Sequence, residues 1–181
     1  LPLEPSAYDP EKARQLLREA GFPNGFDGGE IAVGPPYGSV AEAVATYLGG
    51  VGIRTKVRPM ERAAFTTARR ERQMKYLSYG GSGAYGNAAT RLEAFVVGGG
   101  TFAAGSVPEI DERFRKQASE RDPAKREVIL HEIQRIIHEK ALFIPNWELA
   151  FLSGVGSRVA ESGLGLIPLY IYSARYEDVR L

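Results

Sequence analysis

Apolar positions along the chain recur at two periods, and these predict most of its elements. In "YDPEKARQLLREAGFPNGF" Ala13, Leu16, Leu17 and Ala20 fall on one helical face and are expected to be buried. Asp9 stands where a cap is needed, Pro10 takes the first helical position and Glu11 meets the positive end of the helix. Gly21 and then Pro23 stop it. "EIAVG" predicts a short strand before the turn "PPYG". A second helix is predicted over "SVAEAVATYLGGVG", opened by a Ser39–Glu42 capping box and burying Val40, Val44, Tyr47 and Leu48. "IRTKVRPM" then changes period: Ile53, Thr55 and Val57 share one face, Arg54, Lys56 and Arg58 the other. A strand with one wet face belongs at a sheet edge.

The pattern continues with "ERAAFTTARRER" as helix, "MKYLSYG" as strand and "TRLEAFVVGGG" as a short helix that starts past "NAA" and ends in glycines. "PEIDERFRKQASE" predicts a helix. "DPAKREVILHEIQRIIHEKA" predicts a long one that repeats the Asp-Pro start at Asp122 and Pro123 and carries a stripe of Ile129, Ile133, Ile136 and Ile137. "LFIPNWELAFLSGV" predicts a strand pair or one bent strand, and "GLIPLYIYSARYEDVRL" an apolar, tyrosine-rich tail. Strands alternating with helices define an α/β fold.

Composition narrows the function. The 181 residues suffice for one ordinary domain and are short for two. Lys+Arg 23 against Asp+Glu 22 leaves a net charge of +1, so no nucleic-acid partner is expected. The densest basic run, "ARRERQMK", is interrupted by Glu71 and reads as a solvated helix end. The absence of cysteine removes disulfides, thiolate chemistry and cysteine metal sites. No apolar run approaches the roughly 18 residues of a membrane span. The chain opens "LPLEPSAYDP" without Met, so it is expected to be processed or cut from something larger.

"GSGAYG", Gly81 to Gly86, matches the G-x-G-x-x-G pattern of a dinucleotide loop. Such a site also needs an acidic residue about 20 positions on, at the end of the next strand. Here that region is "GGGTFAAGS", and Glu109 and Asp111 come later, inside a helix. A helix starting past "NAA" would also miss a pyrophosphate held by the glycines. His131 and His138 lie seven apart on one helix, too far for an i, i+4 metal clamp, so no metal site is expected. Ser82 lacks the second glycine of a nucleophile elbow and has no histidine partner in a suitable loop. No catalytic residue and no cofactor are therefore expected. Trp147 and the tyrosines at 76, 79, 85, 170 and 172 suit either core packing or a ligand pocket.

With the elements placed, "YDPEKARQLLREAGFPNGF", "LGGVGIRTKVRPM", "DPAKREVILHEIQRIIHEKALFIPNWE" and "YEDVRL" together resemble the C-terminal lobe of family 5 extracytoplasmic solute-binding proteins. These are the oligopeptide, dipeptide and nickel-binding components of ABC importers. The resemblance implies the second lobe of a two-lobed, type II periplasmic-binding-protein fold, a mixed sheet flanked by helices. It implies a lobe over 1–163, incomplete at its N-terminal side, and a tail over 164–181 that packs on the missing first lobe. The expected partners are a small solute or peptide and the permease subunits. The expected location is periplasmic, or the cell surface as a lipoprotein, with any signal outside this chain. An uncovered tail would favour self-association.

In that family the strand matching "MKYLSYG" ends at the cleft, commonly with Trp where Tyr79 stands. An acidic loop follows, and in peptide binders its aspartate pairs with the ligand's amino group. This chain has Ser82 at about that place. The resemblance thus nominates Tyr79, Gly80, Gly81, Ser82, Tyr85, Asn87 and Trp147 as a neutral, aromatic-flanked ligand site. Peptide, sugar, opine-like conjugate and metal chelate all stay open as ligands. A small α/β enzyme or an intracellular ligand-sensing domain is the alternative.

Overall fold

The computed structural model describes residues 3–82, 87–146, 152–164, 166 and 176–181. The chain divides into two compact units. One comprises residues 2–82 and 99–106, the other residues 83–98 and 107–181 with Leu1.

The first unit runs α1 (Pro10–Glu19), β1 (Phe26–Val33), α2 (Gly38–Gly50), β2 (Ile53–Pro59), α3 (Arg62–Arg70) and β3 (Leu77–Tyr79). Its sheet has the order β2-β1-β3. Both pairings are parallel, so no mixed character is seen among the three described strands. The register sets Ile31 beside Val57 and Leu77, and Val33 beside Pro59 and Tyr79. β1 is the central strand and reads as one: Ile31, Ala32 and Val33 are all buried because both faces are covered. β2 lies at the edge, with Arg54 and Lys56 exposed and Ile53, Thr55 and Val57 turned inward, as its alternation predicts.

One face of the sheet packs α2. Ile31, Val33 and Ala41 form a buried cluster, and Val44, Ala45, Leu48, Val57, Tyr37 and Tyr79 close around it. Val44 and Leu48 of the expected stripe pack there and Val40 is half-buried, but Tyr47 departs from it. Ala41 is fully buried, whereas Tyr47 is 65% exposed and makes an edge contact with Tyr8 at 5.9 Å. Small residues let the helix axis approach the sheet, and the bulky tyrosine is left outside. The Ser39–Glu42 capping box does not form. A turn from Gly34 to Tyr37, closed by Tyr37 N–H donating to Gly34 O at 3.2 Å, delivers Tyr37 to the N-cap position, with no side-chain cap bond.

α1 is capped as predicted, with the Asp9 carboxylate accepting from Lys12 N–H at 2.8 Å. It is tethered by Arg14 donating to Gly50 O at 2.9 Å. Its apolar stripe is not buried, however. Leu16 and Ala20 are exposed and Ala13 and Leu17 only half-buried, because among the described residues of this unit no element covers that face.

The second unit carries α4 (Ala88–Phe95), α5 (Pro108–Ser119), α6 (Pro123–Glu139) and a 3₁₀ turn, Tyr176–Asp178. Asp122 caps α6 by accepting from Ala124 N–H at 2.9 Å. α5 and α6 pack through Ile110, Ile129 and Ile133, and Ile136 and Ile137 of the predicted stripe are half-buried. Buried Gln117 is satisfied by Arg126 at 3.0 Å, and Arg113–Glu132 and Glu109–Lys140 pair at 3.0 and 2.9 Å. Glu161 and Arg180 form an antiparallel bridge. The strand expected in 142–155 is absent from the described part of that stretch, and residues 147–151 lie outside the described residues.

Candidate functional site

In a parallel sheet, ligands collect beyond the carboxyl ends of the strands, where successive connections leave in opposite directions. The order β2-β1-β3 creates one such point: β1 connects leftward through α2, and β2 returns past it through α3 to β3. The adjoining ends of β1 and β3 are Val33 and Tyr79, paired in register and followed by Gly34 and Gly80.

On the α2 face of this edge Tyr79 meets Tyr37, ring centroids 5.9 Å apart at 63°. Burial first, and the neighbouring Tyr37 second, raise the Tyr79 hydroxyl above its ordinary value of 10.0. Tyr79 therefore stays neutral at physiological pH and keeps its O–H as a donor.

On the α3 face the side chains are Phe65 and Arg69. A Cβ at Gly34 would stand 3.3 Å from the Phe65 ring, and one at Gly80 3.5 Å from it and 3.8 Å from Arg69 Nη1. Glycine at both strand ends lets the buried Phe65 ring pack against them. The Arg69 guanidinium lies 5.8 Å from the centroid of Phe65 and 5.5 Å from that of Phe102, which the segment 99–106 brings in. Burial lowers its pKa below the ordinary arginine value, yet arginine remains charged. The basic run is the solvated helix end its pattern predicts except at Arg69. Arg69 is half-buried between aromatic contacts, while Arg70 and Arg72 are exposed.

Of the nominated residues, Tyr79, Gly80, Gly81 and Ser82 follow one another at this edge, the last three exposed. Asn87 belongs to the other unit, and its side chain is occupied as the N-cap of α4, accepting from Ala89 N–H at 3.0 Å. α4 thus starts directly after Asn87, earlier than its pattern suggests. The dinucleotide motif still lacks its acid, because the described residues between α4 and α5 contain no strand and no carboxylate. Tyr85 and Trp147 lie outside the described residues. Tyr37, Phe65, Arg69 and Phe102 were not nominated. The first two are reached only through the strand order, which shows which strand ends adjoin. For Arg69 and Phe102 no local signal exists.

Elsewhere, His131 Nε2 lies 3.7 Å from a Glu127 carboxylate oxygen one turn away. Among the described residues no three His, Cys, Asp or Glu side chains gather as metal ligands.

The fold is that of part of a periplasmic binding protein. The periplasmic binding protein DppA of Helicobacter pylori, solved with the peptide STSA, superposes with a TM-score of 0.64 at 23% identity, over 77% of this chain and 28% of that one. MoaA of A. tumefacien R10, solved with mannopinic acid, gives a TM-score of 0.60 at 26% identity, over 72% of this chain and 28% of that one. Residues 2–103, more than half of the chain, match the family "Bacterial extracellular solute-binding proteins, family 5 Middle", and the chain belongs to that family. Heme-binding protein A of Haemophilus influenzae is 28% identical over 148 residues, 76% of this chain. The chain spans 27% of the length of that curated relative.

Proposed function

We propose that the chain is a ligand-binding part of the substrate-binding component of an ABC importer, which captures a peptide or related small solute outside the cytoplasm and delivers it to a permease. The observation that carries the proposal is the carboxyl edge of the parallel sheet. Tyr37 and Tyr79 on one face, and Phe65 and Phe102 with Arg69 on the other, flank strand ends stripped of side chains at Gly34 and Gly80. Aromatic walls with a few fixed polar groups are the usual lining of small-molecule sites. Family membership and the peptide, mannopinic acid and heme named for its relatives support the same class.

In this proposal residues 1–163 form one lobe and 164–181 pack on another, and the ligand is buried by closure between lobes. Tyr79 to Ser82 line the cleft, and the protein turns nothing over. The test is a thermal-shift screen of the full-length protein against peptides, opine-type sugar conjugates, metal chelates and heme, with hits measured by calorimetry. Micromolar binding of at least one class, with the ligand recovered intact by mass spectrometry, is the expected result. Conversion of the ligand, lost in Ser82→Ala, would overturn it in favour of an enzyme.

A further inference from the structure

We infer that a polar pocket on the face of the sheet turned away from α2 binds a small oxyanion, a carboxylate or phosphate group, between Arg58 and Lys75. The inference stands on the geometry of the first unit and is independent of the ligand edge.

The strands place the pocket. Ile31 and Val33 pack with α2, so the alternation of β1 turns Glu30 and Ala32 to the opposite face, and the register sets Arg58 of β2 beside Ala32. The segment leading into β3 closes the pocket, with Met74, Lys75 and Tyr76 in its wall. Gly29 secures that wall. Its φ is +71°, and a Cβ there would stand 2.5 Å from the Tyr76 ring, so the ring lies on bare backbone. The pocket holds about 150 Å³. A cavity of that size accommodates benzene, which leaves room for about six non-hydrogen atoms.

Charge selects the occupant. In the wall two cations, Arg58 and Lys75, stand against one carboxylate, Glu30, so the lining is net positive. Glu30 does not use up Arg58. Its Oε2 lies 2.8 Å from Arg58 Nε, but the N–H is not directed at it and makes no hydrogen bond. The pair is thus held by charge alone, and Arg58 Nη2 reaches only the Met74 sulfur, at 4.0 Å. Lys75 forms no ion pair among the described residues. A guanidinium with in-plane donors to spare beside an ammonium is a donor set that grips an oxyanion. Glu30 and Arg58 are both half-exposed, so the site is open to water and its affinity is modest. A bound anion would link β2 to the segment before β3, although those two strands do not pair with each other, and would stabilise the sheet.

The test labels the methionine methyl groups of the full-length protein with carbon-13 and follows Met74, assigned by its loss in Met74→Leu. Inorganic phosphate, lactate and uncharged lactamide are titrated at constant ionic strength, the first two as separate arms. A saturable shift with a Kd on the order of 1 mM is expected from phosphate, lactate or both, and none from lactamide. The tighter arm names the group. Lys75→Gln, at an exposed position that leaves the fold intact, should weaken binding about threefold to fivefold, and Arg58→Gln about tenfold or more. Glu30→Gln should tighten it about twofold to threefold by removing the repelling carboxylate. Absence of a saturable shift with either anion, an equal response to lactamide, or affinities unchanged in both Lys75→Gln and Arg58→Gln overturns the assignment and leaves the solute-binding proposal standing.

Discussion

Replacing Gly25 and Gly21 by alanine should separate two costs that glycine hides. Both adopt positive φ, +70° and +88°. A Cβ at Gly21 meets nothing within 4 Å, so Gly21→Ala carries only the left-handed backbone penalty, about 1 kcal/mol. A Cβ at Gly25 falls on the Gly52 carbonyl oxygen, 2.5 Å from its carbon and 2.8 Å from Gly52 Cα. Backbone cannot rotate away as a side chain can, so one of the two loops must retreat by about an ångström. The retreat breaks the bond from Phe26 N–H to Gly52 O, 3.1 Å, and loosens the first rung of the sheet, Phe26 beside Ile53. Adding about 1 kcal/mol for that bond and about 1–3 for the overpacking gives about 3–5 kcal/mol in all for Gly25→Ala. Urea unfolding followed by circular dichroism, at matched slopes, reads the difference directly. Two variants within about 0.5 kcal/mol of each other would refute the claim that the Gly25–Gly52 contact fixes the start of the sheet.

Three further outcomes are expected. In the full-length protein Tyr79→Ala should weaken solute binding by about 1–3 kcal/mol through lost packing, while changes at His131 or His138 leave affinity unaltered by calorimetry. Asp122→Ala should cost about 1 kcal/mol by removing the cap of α6, and Ile133→Ala about 2–5 by emptying a fully buried site. The Tyr79 hydroxyl is raised above 10.0 in the folded state, so its stabilising effect is complete below pH 10 and lost as pH climbs beyond. Ultraviolet titration should show a late-ionising tyrosine that Tyr79→Phe removes.

What the sequence made legible was local. Asp9 and Asp122 cap because the decisive contact spans two or three residues, and β2 shows its edge position in its own alternation. In α2 the pattern locates Val44 and Leu48 but weighs size at Tyr47: that ring looks like core, yet closeness of approach selects Ala41 and Ala45. Asn87 looked like a free hydrogen-bonding group, but a helix start consumes its oxygen. Arg69 was hidden for a different reason. Its neighbours in sequence are basic and wet, and the ring that gives it a partly dry setting on one side is Phe102. Tyr37 and Phe65 became visible only once strand order showed which ends adjoin.

The segment 99–106 also sets a timetable for synthesis. All three strands of the first unit are complete by Tyr79, so the sheet can assemble while the chain is still being made. Phe102 and the buried Ala103 belong to the same unit but emerge 23 residues later, 102 less 79, after α4 has been laid down. At roughly 5–20 residues per second that is a delay of about one to five seconds. During it Arg69 has Phe65 beside it and not yet Phe102. The nascent unit can therefore hold its strand order before Phe102 reaches Arg69, so the sheet comes first and the aromatic contact across it second.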